Sequence, residues 1–168
     1  MTEHRTVLLV DDETDVTEVL AFSLRRDGFR VLVASEAAEG LAVAKSELPD
    51  VILLDVMMPG ISGWEALERL KADAETSHIP VLMCTVLAEA RFLSMAAEHN
   101  AAGYIRKPFK PDAVTRTLRG ILESGSKYPT PEAEGGPVPA VPEDGDEGPD
   151  AAVPEGEPGA GSMKAGGL

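Results

Sequence analysis

The sequence predicts a doubly wound α/β sandwich built on five parallel strands. Short β-branched apolar runs alternate five times with segments of helical spacing within residues 1–124. The apolar runs are not interrupted by polar residues, which is typical of parallel strands that are covered on both faces. Five strand–helix pairs in strict alternation therefore favour one sheet with helices on both sides.

The predicted strands are short runs rich in valine, leucine and isoleucine. They are Val7–Val10, Val31–Val33, Val51–Leu54, Val81–Cys84 and, with the weakest pattern, Ala102–Ile105. Runs of this length with β-branched residues, separated by polar, Gly or Pro positions, are typical of strands.

Five helices are predicted from apolar residues that recur every three or four positions. Their expected core-facing residues are Val16, Val19, Leu20 and Leu24 in the first; Ala38, Leu41 and Ala42 in the second; Trp64, Leu67 and Leu70 in the third; Ala90, Leu93 and Ala97 in the fourth; and Val114, Leu118, Ile121 and Leu122 in the fifth. Ser35 is expected to be the N-cap of the second helix, and Pro111 lies near the start of the fifth.

The composition changes after Ser124. Residues 125–168 hold 10 of the 16 Gly, 8 of the 13 Pro, and nine acidic residues against two lysines, so they carry −7 of the net charge of −14. With few large apolar side chains, such a segment cannot offset an ordering entropy of about 1–2 kcal/mol per residue. We therefore expect a folded domain at residues 1–124 and a disordered acidic Pro/Gly-rich tail at residues 125–168.

Charge, apolar runs and cysteine content argue against several function classes. The apolar runs are too short to span a bilayer, and Met1–Val10 lacks the pattern of a signal peptide. The net charge of −14 opposes direct binding of nucleic acid or of anionic membranes. The single cysteine, Cys84, argues against a disulfide framework and fits a cytoplasmic location. His4, His78 and His99 share no ligand spacing and are expected at the solvated surface.

Polar side chains follow four of the predicted strands. Asp11 and Asp12 follow the first strand, Asp55 the third, Thr85 the fourth and Lys107 the fifth. Each residue alone is compatible with a helix cap or a turn, but the carboxyl ends of parallel strands meet at one crevice. Three carboxylates there repel one another unless cations offset them. Lys107 supplies one positive charge, and Mg²⁺, which prefers oxygen ligands, would supply the rest.

A carboxylate beside Mg²⁺ and a lysine is suited to phosphoryl transfer. Asp55 can attack phosphorus as a nucleophile and form an acyl phosphate. Lys107 and the metal would neutralise charge on the transferred oxygens. The Thr85 hydroxyl can then hydrogen-bond a phosphoryl oxygen that exists only in the modified state.

These residues resemble the receiver domain of two-component response regulators. The matching segments are Val7–Asp12, Asp55–Gly60, Thr85 and Tyr104–Phe109, within a resemblance that covers about residues 5–123. The resemblance implies a flavodoxin-like sheet with strand order 2-1-3-4-5. It also implies a stand-alone, chemotaxis-type regulator that a sensor histidine kinase or a histidine phosphotransfer protein phosphorylates at Asp55.

The resemblance further implies a magnesium site. Asp12 and Asp55 are expected to bind the ion directly, together with the backbone carbonyl of Met57. Asp11 is expected to hold it through water and hydrogen bonds.

A switch is implied by the same resemblance. Lys107 is expected to pair with Asp55 and then with the phosphoryl oxygens, next to a cis peptide before Pro108. Thr85 and Tyr104 are expected to move inward together after phosphorylation. The family commonly has a small residue after the threonine, and Val86 at this position predicts slow loss of the phosphate.

Output is expected through contact with another protein at the fourth helix, fifth strand and fifth helix. Basic residues on these elements form either a partner-binding patch or an ordinary solvated face: Arg91, Arg106, Lys110, Arg116 and Arg119. The chain is expected to catalyse only its own phosphoryl transfer and dephosphorylation. Three alternatives are a phosphorelay intermediate or phosphate sink, a phosphorylation-independent interaction module, and a true phosphatase, which Met57 disfavours because phosphatases of this kind usually have an acid at that position.

Overall fold

The computed structural model describes residues 4–86 and 90–124. Five strands alternate with five helices: β1 (Thr6–Val10), α1 (Thr14–Arg26), β2 (Arg30–Ala34), α2 (Ala37–Glu47), β3 (Val51–Asp55), α3 (Gly63–Ala72), β4 (Val81–Thr85), α4 (Ala90–Glu98), β5 (Gly103–Arg106) and α5 (Pro111–Ser124). All strand pairs are parallel, in the order β2-β1-β3-β4-β5. The predicted doubly wound fold and strand order are confirmed.

The apolar runs after Thr6, Asp50 and Pro80 form the inner strands β1, β3 and β4 of the sheet. All five residues of β3 and all five of β4 are buried, as expected for strands that helices cover on both faces. The edge strand β2 is less enclosed, since Val31 is buried whereas Val33 is exposed.

Alternate residues of each strand supply two separate cores. On one face, Val7 and Leu9 pack with apolar residues of α1 and α5, including Leu20 and Leu118. On the other face, Leu8 and Val10 pack with residues of α2, α3 and α4, as the two-residue period of a strand requires. The sheet is thereby held rigidly between two helical layers, and its carboxyl edge remains accessible.

The buried face of α1 differs from the predicted one at Val19. Leu20 and Leu24 are buried as predicted, but Val19 is 62% exposed. Thr17 and Ser23 are buried in its place. The orientation of α1 is set by its contacts with both the sheet and α5. Thr17 can be buried because its hydroxyl donates to the Glu13 carbonyl at 2.6 Å, so no polar group of Thr17 is left unpaired.

The start of α2 and part of its buried face were predicted wrongly, although Leu41 packs against the core as predicted. Glu36 is the N-cap residue, whereas Ser35 lies one position earlier and donates from its amide to the Glu39 carboxylate at 3.0 Å. The buried residues of α2 are Ala37, Gly40 and Ala44, while Ala38 and Ala42 are exposed. Small residues give a weak periodic signal, and the close approach of Gly40 to the Val10 side chain decides the orientation.

The predicted faces of α3 and α5 are confirmed where their side chains are described, but that of α4 is not. Leu67 and Leu70 of α3 and Leu118 of α5 are buried. Ala97 of α4 is exposed, contrary to the prediction, and Ala96 is buried instead.

An aromatic contact joins α3 to α4. Trp64 stacks on Phe92 with ring centroids 6.2 Å apart, and the His99 ring lies 6.1 Å from Trp64. His99 also lies 3.4 Å from Glu68 and is only partly exposed, so it is less solvated than the predicted surface position implies. A local pattern gave no sign of this packing because the partners come from different helices.

Two further predictions concern the acidic tail and the lack of a membrane-spanning segment. The acidic tail at residues 125–168 lies outside the described residues, so its disorder stays a prediction. In the described parts of the chain, no helix combines the length and apolar character that a membrane span requires.

Candidate functional site

The polar residues predicted at the strand ends meet at the carboxyl edge of the sheet. Val10 of β1 pairs with Leu54 of β3, which places Asp11 beside Asp55. The Asp11 amide donates to the Ala34 carbonyl at 3.1 Å, so the position of its main chain is set by β2. The sheet therefore delivers two carboxylates side by side from neighbouring central strands.

The last two predicted residues come from the other half of the sheet. Thr85 ends β4 and is buried, and the Lys107 amide donates to the Thr85 carbonyl at 2.8 Å. The Lys107–Pro108 peptide is cis, as predicted. The Lys107 side chain is 8% exposed and extends toward the carboxylates.

Three carboxylates form a cluster that is suited to a metal ion. Oxygen atoms of Asp11, Asp12 and Asp55 lie within 4.8 Å of one another. Asp55 is buried, Asp11 is partly buried and Asp12 is exposed, so one side of the cluster is open to solvent. An all-oxygen set of this charge fits Mg²⁺, which keeps several waters and takes carboxylates as its protein ligands.

Lys107 is the positive charge within the cluster, and its nearest partner is not Asp55. Its Nζ lies 2.6 Å from Asp11, 3.1 Å from Glu13 and 3.5 Å from Asp55. Sequence reasoning missed Glu13, although it is the third consecutive acid after β1. A signal was therefore present, but local sequence does not show that this side chain reaches a lysine 94 residues away.

The electrostatics reflect a surplus of negative charge. Two causes raise the pKa of Asp55 from 3.8 to about 6: burial is the larger, and the negative charge of Asp11 is the next. The Lys107 ammonium and the Met57 amide lower this pKa, but by less. Burial alone would lower the pKa of Lys107, but the hydrogen bond and charge of Asp11, with Asp55 and Glu13, raise it above 10.5. Lys107 is thus firmly cationic, whereas the anionic form of Asp55 is costly without a further cation.

The main chain around Asp55 is tightly constrained. The Val56 amide donates to the Cys84 carbonyl at 2.8 Å, and the Gly63 amide donates to the Val56 carbonyl at 3.0 Å. A Cβ added to Gly63 would overlap the Asp55 carbonyl oxygen and lie 2.7 Å from the Val56 Cα. Gly63 therefore allows α3 to pack directly against the backbone that carries the Asp55 carboxylate.

The other predicted residues lie around this centre. The Met57 amide points to Asp55, with 3.4 Å between the nitrogen and Oδ1, and the Met57 side chain is 58% exposed. Tyr104 is partly buried in β5 and packs against the core beside Met83. Cys84 is buried, in agreement with its interpretation as a core residue.

The basic residues of the predicted output face are all exposed. They are Arg91, Arg106, Lys110, Arg116 and Arg119. Arg91 lies over the Phe92 ring at 4.9 Å, and Arg119 donates to the Asp27 carbonyl at 3.1 Å, so parts of this face also make local contacts.

Comparison with known proteins identifies what this arrangement is similar to. The family model of the response regulator receiver domain matches residues 7–119. Among curated proteins of Pseudomonas aeruginosa, the phosphate regulon transcriptional regulatory protein PhoB is 39% identical over 118 residues, which are 70% of this chain and 52% of PhoB. Protein PilH is 34% identical over 116 residues, covering 69% of this chain and 96% of PilH.

Solved structures give the same result. The chemotaxis response regulator CheY4 of Vibrio cholerae superposes with a TM-score of 0.68 at 29% identity, covering 71% of this chain and 99% of CheY4. The chain thus spans about half the length of PhoB but nearly all of PilH and CheY4.

Proposed function

The chain belongs to the response regulator receiver family, and from this we propose that it is a switch controlled by phosphorylation of Asp55. The phosphodonor would be a sensor histidine kinase or a histidine phosphotransfer protein. The observation that carries the proposal is the buried Asp55 carboxylate at the end of β3, with the Lys107 ammonium 3.5 Å away and two further aspartates within 4.8 Å.

Asp55 acts as the nucleophile in this proposal. One carboxylate oxygen attacks phosphorus, the phosphorus–nitrogen bond of the donor phosphohistidine breaks, and its electron pair leaves with the imidazole. The reaction requires anionic Asp55, and a pKa of about 6 leaves that form dominant at neutral pH. Lys107 is close enough to neutralise oxygens of the new acyl phosphate, and Thr85 supplies a hydroxyl at the neighbouring strand end.

Mg²⁺ is the cofactor that we propose for this site. Asp12, Asp55 and the Met57 carbonyl would hold it directly, and Asp11 would hold it through water. When bound, it would supply the positive charge that the carboxylate cluster lacks and that the transferred phosphoryl oxygens need. The fit rests on the three clustered carboxylates, whose negative charge Lys107 alone does not balance.

We propose that output follows from a change at Thr85 and Tyr104 and is read by another protein at α4, β5 and α5. Phosphorylation shifts the population of two conformers, for which coupling energies of about 1–3 kcal/mol suffice. Catalysis would be limited to the domain's own phosphoryl transfer and its reversal by hydrolysis. The exposed, apolar Met57 supports this limit, since it offers no acid or base two residues after Asp55.

Two interpretations of the same site remain as alternatives. A phosphorelay intermediate or phosphate sink would use identical chemistry, and rapid back-transfer to a kinase would favour it. A phosphorylation-independent interaction module would not need the complete set of Asp11, Asp12, Asp55, Thr85 and Lys107. A cytoplasmic location and the lack of direct contact with nucleic acid or membrane stay predictions.

Incubation with acetyl phosphate and Mg²⁺ is expected to add one phosphoryl group to the protein, detected by intact mass. The Asp55→Asn variant and a sample with excess EDTA should gain none, because each lacks either the nucleophile or the cation. Asp50→Asn is a matched control, because Asp50 lies at the opposite end of β3 and pairs with Arg5 at 2.9 Å. An unmodified wild-type protein, or undiminished labelling of Asp55→Asn, would contradict the proposal.

Val86→Ala is expected to accelerate loss of the phosphoryl group about three- to tenfold, which corresponds to a barrier lowered by about 0.7–1.4 kcal/mol. Val86 directly follows Thr85 and is 54% exposed, so its branched side chain is placed to hinder approach of water. The phosphate released from labelled protein would be followed with time. Val33→Ala, an exposed valine on β2, is the control and should not change the rate. An unchanged half-life in Val86→Ala would count against this role.

A further inference from the structure

The Lys107 ammonium lies nearest to the segment that follows β1, and this segment supplies two of its three partners. Its distances to Asp11 and Glu13 are 2.6 and 3.1 Å, against 3.5 Å to Asp55. Lysine can donate three hydrogen bonds, and two of them already have acceptors at good distance. The resting position of Lys107 is therefore displaced from the residue that we propose to be phosphorylated.

The main chain of Glu13 is fixed at the start of α1. Its amide donates to Asp11 Oδ1 at 2.9 Å. Its carbonyl accepts from the Thr17 amide at 3.0 Å and from the Thr17 hydroxyl at 2.6 Å. Because these bonds hold the Glu13 backbone, the length of its side chain determines whether the carboxylate reaches Lys107.

We propose that Glu13 is a positioning residue that retains Lys107 beside the β1–α1 segment until Asp55 is phosphorylated. This inference rests on the proposed function. A phosphoryl group on Asp55 would draw the ammonium toward itself, and the contact with Glu13 would be given up. An interaction present only before phosphorylation disfavours the phosphorylated state, so Glu13 opposes modification and tunes the switch toward its resting form.

A simpler interpretation treats Glu13 as one more negative charge near the site. The Glu13→Asp variant separates the two. It keeps the charge, but the side chain is one methylene shorter and no longer reaches Lys107 from the fixed backbone. Glu13 is the N-cap residue of α1 and makes no side-chain cap bond, whereas aspartate is a preferred N-cap, so the new carboxylate would turn toward the helix amides.

The test is calorimetric titration of the full chain with beryllofluoride, a phosphoryl analogue, at saturating Mg²⁺. Glu13→Gln and Glu13→Asp are both expected to bind it about two- to fivefold more tightly than wild type, the range expected for loss of one ion pair whose carboxylate is exposed to solvent. Glu18→Gln is the matched control, because Glu18 is an exposed acid of α1 that does not contact Lys107, and it should bind like wild type. Thermal unfolding would verify that each variant is folded.

The possible outcomes are distinct. Wild-type affinity in Glu13→Gln would overturn the positioning role while leaving the proposed function intact. Tighter binding by Glu13→Gln with wild-type affinity in Glu13→Asp would also overturn it, because charge alone would then explain the effect. Absence of analogue binding by the wild-type protein would overturn both this inference and the proposed function.

Discussion

Asp55→Asn is expected to raise the free energy of unfolding of the metal-free protein by about 2–3 kcal/mol at pH 7.5. Burial and the charge of Asp11 raise the pKa of Asp55 from 3.8 to about 6, and each pKa unit corresponds to about 1.4 kcal/mol. At pH 7.5 the folded wild-type protein therefore holds a carboxylate in an unfavourable ionised state. Asparagine removes that charge with little change in volume.

The gain in stability should depend on pH in a defined direction. The pKa of Asp55 is higher in the folded chain than in the unfolded chain, so protonation favours folding as the pH falls through about 6 toward 3.8. The advantage of Asp55→Asn is thus greatest above pH 6 and falls below about 1 kcal/mol near pH 4. Urea unfolding in EDTA at both pH values would measure it.

Asp50→Asn provides the control for this stability measurement. The Asp50 carboxylate accepts from the Thr6 amide at 2.7 Å and from Arg5 at 2.9 Å, so its removal should give no gain. Equal stability of Asp55→Asn and wild type at pH 7.5 would contradict the stated electrostatics of the site. A gain of the same size at pH 4 would contradict them as well.

Gly63→Ala is expected to lower the free energy of unfolding by about 3 kcal/mol or more, at the upper end of the range for overpacked positions. The added methyl group would overlap the Asp55 carbonyl and lie 2.7 Å from the Val56 Cα. These are main-chain atoms of the last residue of β3 and of the buried residue that follows it, so they cannot rotate away. The start of α3 would have to separate from β3, and the hydrogen bond from the Gly63 amide to Val56 would lengthen.

Gly40→Ala is the matched control for this packing effect. Its Cβ would lie 2.8 Å from the two methyl groups of Val10, which belong to a side chain that can adjust. The loss of unfolding free energy measured in urea should therefore be clearly smaller than for Gly63→Ala.

Phosphoryl uptake should also fall in Gly63→Ala if the protein remains folded, because small displacements of a nucleophile reduce rates strongly. A change below about 1 kcal/mol in Gly63→Ala would be inconsistent with this packing.

Most of the site could be predicted because its members occupy one topological position. Asp11, Asp55, Thr85 and Lys107 all lie where a strand ends or has just ended, and parallel strands bring such positions together. The apolar runs predict the strands, and the polar residues that follow those strands are the residues of the site. The role of Glu13 was not predicted, because its contact with Lys107 depends on how far its side chain extends in the folded protein, and no local sequence pattern encodes that distance.

The helix faces show the opposite case. In α1, Thr17 is buried and Val19 is exposed, although hydrophobicity alone predicts the reverse. In α2, alanines occupy several faces, and Gly40 packs on Val10 because a backbone can approach closely there. Periodicity indicates that a helix exists, but the orientation of a helix with weak contrast is decided by the surface it covers.

The sequence by itself determined the alternation of strands and helices, the parallel sheet, and the set of acids, hydroxyl and lysine at its carboxyl edge. These follow from short-range patterns and from the topology that such patterns allow. Only the tertiary structure decided how charge is shared within the site. Lys107 lies closer to Asp11 and Glu13 than to Asp55, since distances between segments about 95 residues apart are fixed by packing and not by any local preference.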